Sequence, residues 1–343
     1  MMPGLWLLGG LGALGLVLRL PGRIVLAMLF LLWAGIVLLL ALLPDIAAAQ
    51  MVGGSAVHWL VGGGIVALVL GYRAMLGRLR AHAIQPVQAT VRHDDEGLSD
   101  AELDRYARHL VLREIGGPGQ MRLRQARVLI VGAGGLGAPV CLYLAGAGVG
   151  HITVADDDQV SLSNLQRQVI FRSDQRGEAK ASAAAGAMTA LNPHIAVTPL
   201  NRRVTAEDVD LIAGHDLVID GTDSFASRQQ VNAACVAAGV PLLAGSITQW
   251  EGQLTLYDPA RGGPCLSCLF PQEPAAGLAP ACAEAGVVGA LPGVLGSLMA
   301  LEAIKLLTGA GQDLRGRLML FDGLYGENRT ISVTRRKDCA VCG

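Results

Sequence analysis

Apolar and polar positions divide the chain into a head of long apolar runs and a body where short apolar runs alternate with segments of helical period. Residues 24–43 carry no charge, and twenty helical residues at about 1.5 Å each cover the roughly 30 Å of hydrocarbon in a bilayer. Residues 5–18 and 52–70 are apolar but glycine-rich, and His58 interrupts the second. Three spans are expected, with a membrane-buried hairpin arm as the alternative for each of these two. Arg19 and Arg23 fall in the first connection, Asp45 without any Lys or Arg in the second, and Arg73, Arg78 and Arg80 after the third span. The positive-inside rule then places the amino terminus outside and everything beyond residue 73 in the cytoplasm. A cleaved signal peptide fits less well, because there are several spans and no small-residue cleavage site after the first.

Residues 81–98 lose the apolar period and mix Pro, Gln, His and acids, a linker composition. A soluble domain, 99–343, is expected to follow. Ser99 and Glu102 have capping-box spacing, after which Leu103, Tyr106, Leu110 and Leu112 recur at near-helical intervals. Strands are expected at 127–131, 151–155, 196–200 and 216–220, and helices at 137–147 and 180–191. This alternation predicts an α/β fold: a Rossmann-like domain with a mostly parallel sheet, preceded by an α-helical transmembrane region. The apolar stretch 293–307, with Glu302 and Lys305, is expected to pack in the core or a dimer interface.

Composition supports this division. With 343 residues the chain has room for about two domains. Its 52% hydrophobic and 16% charged residues make an apolar balance for a soluble enzyme. A net charge of −1 and the lack of a basic or aromatic-basic tract argue against nucleic acid as a partner.

Gly132, Gly134 and Gly137 form a GxGxxG turn after the apolar run 128–131, so backbone amides and a helix amino terminus can face an anion. Asp156 follows 19 residues beyond Gly137, at the end of the second strand, where a carboxylate can accept hydrogen bonds from ribose hydroxyls. NAD and ATP both carry that ribose. The next stretch, VSLSNLQRQ, supplies Asn164, Arg167 and Gln168, and Lys180 opens the following helix. Two cations and amide side chains at the phosphate end suit a triphosphate losing pyrophosphate, although either cation alone could be a solvated surface charge. Asp223, in DGTDSF at the carboxyl end of a parallel strand, is placed to hold Mg²⁺ against phosphates; an Asx turn or helix cap with Ser224 and Ser227 is the bland alternative.

Of seven cysteines, Cys265 with Cys268 and Cys339 with Cys342 make two CxxC pairs. Four thiolates match a tetrahedral structural Zn²⁺ in a reducing compartment, with a redox dithiol as the alternative for either pair alone. Cys141 and Cys235 fall in apolar helical stretches as small core residues. His194 and His215 lack a second ligand at useful spacing, so core or surface roles are expected.

RVLIVGAGGLG, SLSNLQRQ, the GxxK at 177–180, LNPHIAVTP, GTDS, EGQLTLY and the terminal CxxC, in this order over about residues 99–343, resemble the HesA/MoeB/ThiF family. These proteins are ATP-dependent activators of ubiquitin-like sulfur carriers, and the likeness is greatest to their molybdopterin-synthase adenylyltransferase branch. The resemblance implies ATP binding through Gly135, Asp156, Ser163, Asn164, Leu165, Gln166, Arg167, Lys180, Asp223 and Ser224. It implies zinc at the four CxxC cysteines, and a homodimer in which Arg108 reaches the ATP of the opposite subunit. The reaction implied is adenylation of the C-terminal glycine of a Gly-Gly-ended carrier in molybdopterin or thiamine biosynthesis. Cys282 matches a cysteine able to attack the activated carboxylate or to form a persulfide-type link.

The leading expectation is therefore a multi-pass protein of the bacterial inner membrane with a cytoplasmic adenylyltransferase domain. Arg108, Arg167, Lys180 and Asp223 would be its catalytic groups and Cys282 a reactive thiol. A nucleotide-dependent dehydrogenase and a non-catalytic nucleotide-binding membrane scaffold are the rivals. Two departures from the family pattern stand out: an apolar head on a normally soluble enzyme, and Ser224 where Asn is frequent. No appended sulfurtransferase domain follows Cys342, so a separate sulfur donor is expected.

Overall fold

The run Val128, Leu129, Ile130 and Val131 is apolar at every position because its strand is covered on both faces, the usual situation in a parallel sheet. Val128 and Ile130 join the core on one side, with Leu136, Val140, Leu295 and Met299; Leu129 and Val131 join the other, with Val204, Ile212 and Val231. The computed structural model describes residues 3–18, 21–83, 97–273 and 286–343. The chain divides into two compact units, residues 1–88 and 89–343.

In the second unit β1 (Arg127–Val131), β2 (His151–Ala155), β3 (Ala196–Leu200), β4 (Leu217–Asp220) and β5 (Leu242–Ile247) pair in parallel. β6 (Glu251–Tyr257), β7 (Arg317–Asp322) and β8 (Glu327–Ser332) extend the sheet antiparallel, giving the order β3-β2-β1-β4-β5-β6-β7-β8. The order reverses between β1 and β4, and the crevice at the carboxyl ends of those two strands is where such sheets bind ligands. Helices α8 (Gly137–Ala147), α9 (Lys180–Leu191) and α11 (Phe225–Ala238) follow β1, β2 and β4, and the short α10 (Val209–Ala213) precedes β4. All four expected strands and both expected helices form; the strand expected from residue 216 begins at Leu217.

After the short α12 (Leu266–Leu269), the stretch 293–307 lies inside one long helix, α13 (Ala290–Thr308). Its length and apolarity would also suit a membrane span, but Leu291, Leu295, Met299 and Ala303 are buried against the sheet and α8, which accounts for its composition.

The capping box is present: the Glu102 amide donates to Ser99 Oγ (3.4 Å) and the Ser99 amide to Glu102 Oε2 (2.9 Å). The residues after it do not form one amphipathic helix. α5 (Asp100–Arg105) and α6 (Ala107–Leu110) break at Tyr106, the one fully buried member of the periodic set, while Leu103 and Leu112 are exposed. Tertiary packing replaces the helical period. The Tyr106 ring lies against Gly148, which ends α8 in the left-handed conformation, and a side chain at Gly148 would collide with it. Asn192 Nδ2 donates to Tyr106 Oη (2.8 Å) and to the carbonyl of Ala145 (2.7 Å). Gln120, on α7 (Gly116–Gln125), donates to the carbonyl of Ala147 (2.9 Å) and shares 3.1 Å with His109 Nδ1. Side-chain amides thus satisfy the orphan carbonyls at the end of α8 and fasten α6 there.

His215, for which a core or surface role is expected, is half-buried. Its Nδ1 faces the carbonyl of Leu211 (2.8 Å) and so must donate, and in the neutral ring Nε2 accepts from Thr153 Oγ1 (2.9 Å). Burial favours the neutral ring and holds its pKa below the ordinary histidine value. An unfolded chain takes up this proton near pH 6.5 and the folded one only lower. Folding stability should therefore fall as pH drops from about 6.5 to the lowered folded value, and level off below it. Denaturant unfolding at pH 7.5 and 5.5 checks this: His215→Gln should show a smaller pH dependence than the parent.

In the first unit the helices are α1 (Pro3–Val17), α2 (Gly22–Leu42), α3 (Ala47–Val52) and α4 (Ala56–Ala83). The third apolar run does not start a helix at residue 52, because Gly53 and Gly54 turn the chain at φ +77° and +82° before α4 begins. α4 also extends to Ala83, into the expected linker 81–98, of which 84–96 lie outside the described residues. Ile24–Leu42 and Ala56–Arg73 are long and apolar enough to cross a membrane. The 15 residues of α1 rise only about 22 Å, short of a full crossing. Trp33 Nε1 donates to the carbonyl of Trp59 and Trp59 Nε1 to that of Gly53, both at 3.0 Å, so the two indoles bridge helix to backbone.

Candidate active site

β1 runs straight into the glycine turn, where Gly132 adopts φ +90° and a side chain would press on the backbone of Gly221 and Thr222 at 3.2–3.3 Å. At Gly137 an added Cβ would sit 1.9 Å from the carbonyl oxygen of Gly132. No residue but glycine permits this close return, which aims the first turn of α8 into the β1/β4 crevice.

Asp156 follows β2 and buttresses the turn: its Oδ2 accepts from the Ala133 amide (2.8 Å) and its Oδ1 from the Asp158 amide (2.9 Å). Burial raises the Asp156 pKa above the ordinary carboxylate value, opposed by those two amides and by the charge of Lys180. Lys180 opens α9 with its side chain 4% exposed, and its Nζ donates to Asp158 Oδ2 at 2.8 Å. Arg167 lies against the turn, its Cδ 3.7 Å from where a Cβ on Gly135 would stand, and its guanidinium is held by Asn164 Oδ1 (3.1 Å) and the carbonyl of Ser163 (3.5 Å). Gln168 is buried with its Nε2 beside Gly134 and its Oε1 without a partner. The backbone and side chain of Gln166 crowd Gly289, just before α13. Gly132, Gly134, Gly135, Asp156, Asn164, Arg167, Gln168 and Lys180 therefore gather around one turn.

On the β4 side, Asp220 is fully buried, with Oδ1 accepting from the Thr222 amide (2.8 Å); its Oδ2 and the Thr222 hydroxyl have no partner. Asp223 is exposed on the same loop. Ser224 does what the bland alternative allowed: its Oγ accepts from the Ser227 amide (3.2 Å) and caps α11.

Arg108 is exposed on α6, at the far end of α8 from the glycine turn. Eleven helical residues separate the two ends by about 16 Å, so the structure does not bring Arg108 into the site of its own chain. Cys282 lies outside the described residues.

The four CxxC cysteines meet, buried, with Sγ separations of 3.9 Å (Cys265–Cys268), 3.6 Å (Cys265–Cys339) and 3.5 Å (Cys268–Cys342). A tetrahedron of 2.3 Å Zn–S bonds has edges of about 3.8 Å, so the donor set fits zinc. Burial opposes ionisation of Cys339, but the amides of Cys342 and Val341, together with hydrogen bonds from Cys265 and Cys268, outweigh it and bring the thiol down to about 6. The first knuckle is anchored on α11: Asn232 Oδ1 accepts from the Leu266 amide (2.9 Å), and Gln229 Nε2 donates to the carbonyl of Phe270 (2.9 Å). Cys141 and Cys235 are buried core thiols; burial pushes Cys141 up to about 12 and raises Cys235 as well.

Sequence reasoning did not single out Asp158, Asn192 or Gln120. Asp158 left a faint signal, two residues beyond the ribose carboxylate. The amides of Asn192 and Gln120 acquire their roles only through contacts 47 and 27 residues away.

Fold and site together define a nucleotide-binding α/β protein with a built-in thiolate cluster. Residues 106–341 match the family described as "ThiF family". Over 250 residues the chain is 47% identical to the molybdopterin-synthase adenylyltransferase of Escherichia coli, covering 72% of this chain and 98% of that one. It is 46% identical over 247 residues to the sulfur carrier protein adenylyltransferase of Thermus thermophilus, covering 71% and 91%. The crystal structure of E. coli MccB with MccA shares the fold at a TM-score of 0.62 and 24% identity, covering 70% of this chain and 74% of that one. The chain belongs to the ThiF family and is an adenylyltransferase.

Proposed function

We propose that this chain uses ATP to adenylate the C-terminal glycine of a ubiquitin-like, Gly-Gly-ended sulfur carrier, and that it does so at the cytoplasmic face of a membrane. The observation that carries the reading is the pair of cations bordering the glycine turn: buried Lys180 and the tethered Arg167. A carboxylate oxygen of the carrier attacks the α-phosphorus of ATP and diphosphate leaves. The nucleophile is already ionised, so the protein's task is to position the reactants and neutralise the charge gathering on the leaving group. In this reading the turn amides and Asp156 hold the nucleotide, and Ser163, Asn164, Leu165, Gln166 and Gln168 form the wall beside it. Mg²⁺, with exposed Asp223 as its protein ligand, supplies further charge neutralisation. Zn²⁺ in the Cys265, Cys268, Cys339 and Cys342 cluster is structural, because four thiolates leave no open position.

The placement of Arg108 favours action in trans within a homodimer. Val294, Leu298 and Leu301 leave a partly exposed apolar stripe along α13, a suitable face for a second copy. The outward apolar side chains of α2 and α4, such as Phe30 at 62% and Leu68 at 74% exposure, support a membrane location.

Exchange of labelled pyrophosphate into ATP tests the reading. Exchange that depends on added carrier is expected. Hydride transfer to a nicotinamide, or nucleotide binding without turnover, would replace it with a dehydrogenase or a scaffold. Extraction of the chain from membranes by detergent but not by high salt is expected for the anchor.

A further inference from the structure

We propose that Asp158 is a positioning residue of the adenylation site: its carboxylate fixes the Lys180 ammonium while its backbone closes the loop that carries Arg167. The inference rests on the proposed roles of Lys180 and Arg167 and concerns what sets them in place.

Three consecutive acids follow β2, and each has a different task. Asp156 braces the glycine turn, Asp157 pairs outward with Arg203 Nε at 2.8 Å, and Asp158 takes Lys180. Ion pairs therefore occupy the second and third acids, so the cluster is not a free cation site. Lys180 has its side chain 4% exposed while that of Asp158 is 63% exposed, so the pair spans the boundary between interior and solvent. A buried ammonium without a counter-charge is costly, and Asp158 is its one ion-pair partner among the described residues. An ammonium has three N–H donors, so holding Asp158 leaves two for an incoming anion.

The backbone of Asp158 does a second job. Its carbonyl accepts from the Lys180 amide (2.9 Å), Val160 N donates to the Glu178 carbonyl (2.9 Å), and Gly177 N donates to the Val160 carbonyl (2.9 Å). Gln159 and Ala179 form an antiparallel bridge between these bonds. Together they clamp the base of the loop 161–176, which carries Ser163, Asn164 and Arg167. Since the Asp158 amide donates to Asp156, one continuous set of contacts runs from the glycine turn through Asp156 and Asp158 to Lys180.

The opposite role would be that of a placeholder, a carboxylate that phosphate must displace from Lys180. The two roles predict opposite signs. Binding of α,β-methylene ATP by calorimetry and carrier-dependent pyrophosphate exchange are to be measured on full-length parent, Asp158→Ala, Asp158→Asn, Lys180→Ala and the Asp158→Ala/Lys180→Ala pair. For Asp158→Ala, analogue binding weakens and exchange slows, each by about tenfold or more. Asp158→Asn keeps an oxygen acceptor in place and recovers part of the loss; it also carries the test should the alanine variant fold poorly. In the Lys180→Ala background, Asp158→Ala adds little further loss of analogue affinity, because the two act as one unit. Tighter or unchanged binding by Asp158→Ala alongside a severe Lys180→Ala defect overturns the proposal and leaves the site reading intact, as does an undiminished Asp158 effect in the Lys180→Ala background. Normal binding and exchange by Lys180→Ala overturns both.

Discussion

Alanine at Lys180 or at Arg167 should reduce carrier-dependent pyrophosphate exchange by about 10²–10³-fold, with the circular dichroism spectrum unchanged. The size follows from where the charges stand. Lys180 is withdrawn from water and Arg167 is tethered at two points beside Gly135. Neither needs to reorganise when negative charge moves onto the departing diphosphate, and a pre-set charge in a water-poor crevice acts far more strongly than a mobile one in solvent. Neither substitution leaves a carboxylate stranded in the core: Asp158 is mostly exposed, and Arg167 pairs with an amide oxygen rather than an acid. The defect should therefore lie in turnover and nucleotide affinity rather than in folding. Full exchange by both variants would remove the basis for the adenylation site.

The second large effect concerns the thiolate cluster. Serine at Cys265 or Cys342 should abolish binding of one zinc per chain, measured by metal analysis of the purified protein, and lower unfolding stability by more than about 3 kcal/mol. The sheet does not hold the terminal segment: β8 ends at Ser332, and its residues are all exposed. Beyond it Cys339 and Cys342 are buried against their partners 74 residues earlier, with Val236 and Leu269 packed on the cluster. Breaking one corner frees the carboxyl-terminal strap and loosens α12, whose first turn is pinned by Asn232. Unchanged stability in the zinc-free variants would mean that the four sulfurs contribute no cross-link.

Local chemistry marked the parallel half of the sheet in the sequence. Val128 to Val131 ahead of GxGxxG, and DLVID ahead of GTDS, each carry a buried strand and the turn that ends it, so elements and site were readable together. The amino-terminal segment was not: apolar spacing at Leu103, Tyr106 and Leu110 suggested a continuous helix, whereas Tyr106 is drawn inward by Asn192 and Gly148. Asp158 escaped notice for a similar reason, since its value depends on an ammonium 22 residues away. Arg108 shows another limit. Sequence resemblance placed it at a nucleotide, and the single chain keeps it at the wrong end of α8 for its own. A role proposed to act across a subunit boundary does not register as proximity within one protomer.

The separation between the two halves of the thiolate cluster also has a temporal side. At about 5–20 residues per second, a ribosome needs roughly 4–15 s to add the 74 residues between the first sulfur pair and the second. Until the second pair has been added, the first two cysteines lack half of their four-sulfur site. Closure of the tetrahedron is therefore among the last events in making the protein, completed only once the carboxyl-terminal strap exists.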